Sequence, residues 1–316
     1  MIILYIFLLL IGFVILIKGA DVFVDGASSL ARNFSLSTMF IGLTIVAFGT
    51  SAPEFAVSVS SMVTKNPDMV LGNVIGSNIL NILLILGCGS LIHSLGVRNS
   101  TVKKELPIVL LLTLLMTVLI SDELFGLGTN MFTRQDGIII LLFFTVFIYY
   151  LISMMRKKKD EEDEPPKFNL SKSIILTLLG IVAIIVGSQL VVKDAASIAA
   201  IMGVSHRMIS LTVIALGTSL PELVTTVIAV KKGEYDIAIG NVVGSNIFNI
   251  GIVLALPVAI FGGINHIVFN YIDLVVLLGS AILLFIFSFR DRKINKYEGI
   301  FMLLIFVVYY SYVIIG

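Results

Sequence analysis

Two glutamates stand in apolar surroundings that rarely hold a lone acid. Glu54 closes the stretch Ala47-Phe48-Gly49-Thr50-Ser51-Ala52-Pro53-Glu54. Glu222 closes Ala215-Leu216-Gly217-Thr218-Ser219-Leu220-Pro221-Glu222, at an offset of 168 residues and with six of eight positions identical. A charge at the centre of a bilayer costs about 2.5–3.5 kcal/mol on insertion scales. Two such charges brought together also repel. A cation held between them turns the arrangement favourable. The competing reading is a protonated, hydrogen-bonded glutamate pair.

The neighbours suit a hard cation. Thr50 and Glu54 are four apart and share a helical face, with Ser51 beside them. Pro53 removes a backbone donor and crowds the carbonyl of Gly49, so local unwinding is expected. Freed carbonyls then become oxygen ligands, Ala47 first among them. Ala215, Thr218, Ser219, Pro221 and Glu222 repeat the set. Back-bonding of the hydroxyls to their own helix is the plainer alternative.

A second motif adds oxygen. Gly72-Asn73-Val74-Ile75-Gly76-Ser77-Asn78-Ile79-Leu80-Asn81-Ile82 recurs as Gly240-Asn241-Val242-Val243-Gly244-Ser245-Asn246-Ile247-Phe248-Asn249-Ile250, nine of eleven positions matching at the same offset. Asn73, Ser77 and Asn81 form one polar stripe, as do Asn241, Ser245 and Asn249. Asn78 and Asn246 lie about 100° off that stripe, the angle of one helical residue, and are expected to bond between helices. Gly72 with Gly76, and Gly240 with Gly244, permit close helix approach. The set is all oxygen, suited to Ca²⁺ or Na⁺ and poor for Zn²⁺ or Cu⁺. His93, His206 and His266 fall near helix ends. Cys88 is the single cysteine, so there is no internal disulfide and no cysteine metal cluster; it reads as a packing residue.

The elements that must position these groups are membrane spans. Hydrophobic residues make up 58% of the 316, and charged residues only 13%, against about 25% in soluble domains. Mean hydropathy is +1.09. Net charge is +1, which argues against a nucleic-acid partner. A span needs roughly 20 apolar residues. Ten candidates follow: 2–19, 37–63, 69–94, 105–121, 137–155, 173–192, 208–230, 237–262, 267–289 and 298–315. The first lacks a basic start and a cleavage site and reads as a retained span. Other acids (Asp122, Asp136, Asp273, Glu105, Glu298) fall at span ends, within reach of headgroups and water.

Between the fifth and sixth spans lies Arg156-Lys157-Lys158-Lys159-Asp160-Glu161-Glu162-Asp163-Glu164-Pro165-Pro166, a solvated connector. The chain divides into a first five-helix repeat (1–155), a linker (156–172) and a second repeat (173–316). Five spans per half is odd, so the second copy enters the membrane inverted, as in secondary transporters. With the N-terminus outside, inner loops carry 17 of 21 basic residues. The linker is then cytoplasmic and both termini external. Gly12, Gly19 and Gly26, with Gly180 and Gly187 in the copy, give the first and sixth helices one smooth face each, for tight packing or for sliding.

The motif pair, GTSxPE with GNVxGSNIxNI, each present twice, resembles the calcium/cation antiporter superfamily, and most closely its compact prokaryotic sodium/calcium exchanger branch. The resemblance covers nearly the whole chain. It implies an all-α membrane protein of ten transmembrane helices in two inverted five-helix repeats, with a slanted pair (the first and sixth) moving against the other eight. It implies cation ligands at Ala47, Thr50, Ser51, Glu54, Ser77 and Asn81, and at Ala215, Thr218, Ser219, Glu222, Ser245 and Asn249. Ca²⁺ would be held mainly by Glu54, Glu222, Thr50 and Thr218. Some relatives carry Asp where this chain has Asn249, so fixed site charge here is −2 at most, and no K⁺ requirement is expected.

The function expected is exchange of Na⁺ for Ca²⁺ across the cell membrane by alternating access. There is no enzymatic step, no cofactor beyond the transported Na⁺ and Ca²⁺, and no obligate protein partner besides the lipid bilayer. A Ca²⁺/H⁺ antiporter of the same fold is the alternative; a cation channel ranks behind it.

Overall fold

A computed structural model describes residues 2–126, 128–156, 165–204, 215–265, 267 and 270–315. Most of the charged connector, His206, His266 and the start of the 208–230 span lie outside the described residues. Among those described, seven helices are long and apolar enough to cross a membrane. These are α1 (Ile2–Asn33), α4 (Asp68–Ile92), α6 (Arg134–Met155), α7 (Leu170–Ile201), α9 (Tyr235–Phe261), α10 (Tyr271–Asp291) and α11 (Lys296–Ile315). The pair α2 (Thr38–Thr50) and α3 (Ala52–Val63), bent by 45° at its break, makes an eighth. The expected 105–121 span is α5 (Glu105–Leu119), of 15 residues. The expected 208–230 span contributes a turn at Ala215–Thr218 and then α8 (Leu220–Lys231).

Helices α1 and α7 run well past the expected 2–19 and 173–192. Their extra turns stay helical because their polar groups find partners. Lys232 Nζ reaches Asp21 and Asp25 at 2.8 Å each, and Lys167 Nζ reaches Asp25 at 2.9 Å. Arg32 pairs with Glu234 at 2.9 Å, and Asn33 Nδ2 donates to the Phe168 carbonyl at 2.8 Å. Arg98 Nε donates to Asp236 at 2.9 Å. A two-residue ladder, β1 (Leu95–Gly96) against β2 (Lys293–Ile294), closes the same end.

The smooth faces of α1 and α7 meet each other. A Cβ added at Gly12 would come to 3.0 Å from the Val191 nitrogen, and one at Gly180 to 2.6 Å from the Phe23 Cα. Gly19 faces Ile184, and Gly187 faces Leu16. The helices are antiparallel, and the contacts exchange under the 168-residue offset: 12 with 191 becomes 180 with 23. The glycines therefore join these two helices to one another.

The polar-stripe helices α4 and α9 are buried over most of their length. Outer helices present apolar flanks, such as Ile3, Phe7, Leu10 and Val14 of α1, as lipid contact requires. The four stripe glycines behave unequally. A Cβ at Gly240 would meet the Gly42 Cα at 2.9 Å, and one at Gly244 the Ala47 Cβ at 2.6 Å. At Gly72 and Gly76, no atom among the described residues lies within 4 Å. The expected close approach holds in the second half alone. In the first half these glycines line a cavity of about 300 Å³, bounded also by Asp68, Asp273 and Tyr309.

Candidate ion-binding site

The glutamates sit where two helices restart. Ser51 (φ −81°, ψ 4°) and Ser219 (φ −88°, ψ 4°) leave helical geometry, and Pro53 and Pro221 begin the next helix in each case. This is the unwinding that proline and glycine predict, because the missing N–H is harmless in a first turn. Glu54 and Glu222 thereby occupy first turns, where the helix dipole favours negative charge. Sequence spacing did not reveal that advantage. The Ala47 carbonyl is less free than expected. It accepts the Ser51 N–H at 3.0 Å and the Thr50 hydroxyl at 3.2 Å. The break therefore turns the chain without releasing that carbonyl from its helix.

The two halves interlock around these restarts. Ser51 Oγ donates to Glu222 Oε1 at 3.0 Å, and Ser219 Oγ donates to Glu54 Oε1 at 3.4 Å. Ser219 Oγ also reaches Ser77 Oγ at 3.4 Å, and Ser245 Oγ reaches the Ala47 carbonyl at 3.5 Å. The Thr218 side chain interacts with the Glu54 carboxylate, as those of Thr50 and Ser245 do with Glu222. Glu222 lies near enough to Glu54 for its charge to act there. Asn73 Nδ2 donates to the Glu54 carbonyl at 3.1 Å and to Ser58 Oγ at 3.3 Å. Asn241 Nδ2 does the same to the Glu222 carbonyl (3.3 Å) and Thr226 Oγ1 (3.0 Å). These two asparagines clamp the helices that carry the acids, rather than simply extending an oxygen stripe.

Of the residues singled out from the sequence, Ala47, Thr50, Ser51, Glu54, Ser77, Asn81, Ser219, Glu222, Ser245 and Asn249 are all buried in this one region. Thr218 joins them, partly buried. Ala215 opens the turn before Ser219.

Four oxygens in this region lack any hydrogen-bond partner while fully buried: Glu54 Oε2, Glu222 Oε2, Asn81 Oδ1 and Asn249 Oδ1. Each such group costs on the order of 1–3 kcal/mol if left unsatisfied. All four are acceptors, two from each half, a set that a cation between them, or protons on the two carboxyl groups, would satisfy. No group of three His, Cys, Asp or Glu side chains able to hold a metal occurs among the described residues. A cation here must complete its shell with neutral oxygens, the chemistry of Na⁺ and Ca²⁺.

Two features of the site escaped the sequence. Asn81 and Asn249 each open a π-helical segment, Asn81–Leu86 and Asn249–Leu254, and such bulges frequently mark functional positions. Of the five acids expected at watery span ends, Glu105 and Glu298 prove buried. Glu105 is fully enclosed and bonded by the Tyr150 hydroxyl. Asp194, beyond the expected end of the sixth span, is buried within α7.

The sodium/calcium exchanger protein family matches residues 4–153 and 172–315. The chain belongs to this family. It is 38% identical over 311 residues to CaxA of Alkalimonas amylolytica, a proposed antiporter, each covered to 95%. It is 32% identical over 336 residues to sodium/calcium exchanger MaX1 of Methanosarcina acetivorans, each covered to 96%. Its fold matches the sodium–calcium exchanger NCX_Mj, soaked with 10 mM Na⁺ and no Ca²⁺, at a TM-score of 0.85 and 31% identity over 98% of both chains. The chain is thus a helical, multi-pass membrane protein of a transporter family.

Proposed function

We propose that the chain exchanges Na⁺ for Ca²⁺ across the cell membrane by alternating access. The observation that carries this is the set of four unpartnered buried oxygens, from Glu54, Glu222, Asn81 and Asn249. Ca²⁺ is held mainly by Glu54, Glu222, Thr50 and Thr218. Ser51, Ser77, Asn81, Ser219, Ser245 and Asn249 complete Na⁺ sites around it, together with the Ala215 carbonyl and with the Ala47 carbonyl once the Thr50 and Ser245 hydroxyls turn away from it. Na⁺ and Ca²⁺ compete because they share ligands. A loaded site can be re-exposed on the opposite face, whereas an empty one with two bare carboxylates resists enclosure.

Ten spans in two inverted repeats, 1–155 and 173–316, fit this scheme. The reciprocal bonds Ser51 to Glu222 and Ser219 to Glu54 support a two-fold relation between the halves. Arg32, Arg98, Lys167 and Lys232 converge at one end through their ion pairs. That convergence supports placing the linker in the cytoplasm and both termini outside.

The deciding assay is Ca²⁺ flux in reconstituted vesicles under crossed Na⁺ and pH gradients. Uptake driven by an outward Na⁺ gradient at equal pH is expected. Uptake driven by pH alone in Na⁺-free buffer would replace this reading with Ca²⁺/H⁺ exchange on the same fold.

A further inference from the structure

Four carboxamides form a crossed set at the contact between the halves. Asn81 Nδ2 donates to Asn246 Oδ1 at 3.2 Å, and Asn249 Nδ2 donates to Asn78 Oδ1 at 3.0 Å. Asn78 Nδ2 reaches the Asn246 carbonyl at 3.4 Å. All four residues are buried, at 1% exposure or less. Each bond joins one repeat to the other.

A carboxamide has an oxygen face and an NH₂ face, and only the oxygen can bind a cation. Rotation about the last side-chain bond exchanges them. An Asn ligand is therefore effective only if something holds its NH₂ group away from the ion. Here Asn246 and Asn78 supply that hold. Because Asn81 and Asn249 spend their amide groups on these acceptors, their Oδ1 atoms are left turned free and unpartnered.

We propose that Asn78 and Asn246 are positioning residues that orient the Asn249 and Asn81 carboxamides, oxygen toward the ion, and so set Na⁺ affinity. This rests on the reading of Asn81 and Asn249 as ligands. The pairing runs across the repeats, so each half aims a ligand belonging to the other. Asn246 acts through its acceptor alone: its own Nδ2 has no partner. A residue serving only as glue between helices would be expected to use both faces of its amide.

The test uses the full-length protein in vesicles, measuring half-saturation for Na⁺ and for Ca²⁺ separately. Asn246→Leu and Asn78→Leu remove the acceptors at similar volume. Half-saturating Na⁺ should rise about tenfold in each, with Ca²⁺ changed by about twofold or less, the loss of one hydrogen bond to an ion ligand. Asn246→Asp and Asn78→Asp keep the acceptor and should return the Na⁺ value toward that of the unaltered protein. Unchanged Na⁺ dependence in the leucine variants overturns the proposal, as does an equal shift for both ions that the aspartates fail to recover. If the leucine variants do not fold, the aspartate variants decide: a tenfold rise in half-saturating Na⁺ despite the retained acceptor overturns it. Asn81→Ala and Asn249→Ala run alongside. If these leave Na⁺ dependence intact, the ligand assignment itself falls. If they weaken Na⁺ while Asn246→Leu and Asn78→Leu do not, only the positioning role falls.

Discussion

The Ser51 hydroxyl donates to the Glu222 carboxylate across 3.0 Å, although 171 residues separate them in the chain. Each acid is thus steadied by the restart serine of the opposite repeat. Ser51→Ala leaves Glu222 Oε1 without that donor. Apparent Ca²⁺ affinity should fall about tenfold, the scale of a hydrogen bond to a charged group. Ser219→Ala, which removes a bond of 3.4 Å, should cost less. Ca²⁺ uptake over a concentration series measures both. Equal affinities in all three proteins would contradict the cross-repeat role.

Charge at the centre decides whether the cargo can be enclosed. Glu54→Gln or Glu222→Gln halves the fixed charge available to a divalent ion. Either change should reduce Ca²⁺ transport below detection while the protein still folds, since a neutral amide is cheaper to bury than a carboxylate. Vesicle uptake together with a thermal melt separates the two effects. Robust transport in either variant would remove that glutamate from the site.

With Asn at both 81 and 249, the fixed charge of the site does not exceed −2. One Ca²⁺ balances it, and three Na⁺ exceed it by one. Exchange of three Na⁺ for one Ca²⁺, the ratio the family resemblance implies, would then carry net charge and need no K⁺. Uptake with and without K⁺, and its dependence on membrane potential, check this. Strict dependence on K⁺ would refute it.

Gly76 and Gly244 occupy matching positions but meet different surroundings. Gly244→Ala drives a methyl to 2.6 Å from the Ala47 Cβ and should destabilise by about 1–3 kcal/mol, as overpacking does. Gly76→Ala points into the cavity beside Asp68 and Asp273 and should leave the melting temperature unchanged. Similar melts for both variants would mean that the glycine faces are packed alike.

Lys232 binds both Asp21 and Asp25, at 2.8 Å each. Its Nζ also donates to the Asp21 carbonyl at 2.7 Å. Lys232→Ala should loosen the far end of α1 by roughly 1 kcal/mol. Hydrogen exchange over residues 21–33 should then run about fivefold faster. No change would show that the remaining contacts of α1, those of Asp25, Arg32 and Asn33 among them, hold this end without Lys232.

Much of the site is legible in the chain because it is written twice. The repeated GTSxPE and GNVxGSNIxNI segments hold Ser51, Glu54, Ser77, Asn81, Ser219, Glu222, Ser245 and Asn249, all of them buried in this region. Pro53 and Pro221 announced the helix restarts. Properties that depend on what lies opposite were not legible. Gly72 and Gly76 share their spacing with Gly240 and Gly244, yet only the second pair meets a neighbour. Glu105 looked watery from its place at a helix start, and Tyr150 enclosed it. The π segments at Asn81 and Asn249 left no periodic mark, since one extra residue in a turn alters the pattern too little to read. The lengths of α1 and α7 depended on Lys167, Lys232 and Phe168, all distant in sequence from Asp21, Asp25 and Asn33.

Those lengths have a mechanical consequence. Each of these helices has 32 residues, about 48 Å at 1.5 Å per residue, against roughly 30 Å of hydrocarbon. A rod longer than the slab it crosses must lean or protrude, and the angle it takes follows the thickness of the slab. Bound to each other by glycine, the two rods lean together. Acyl-chain length would therefore set the angle at which this pair stands.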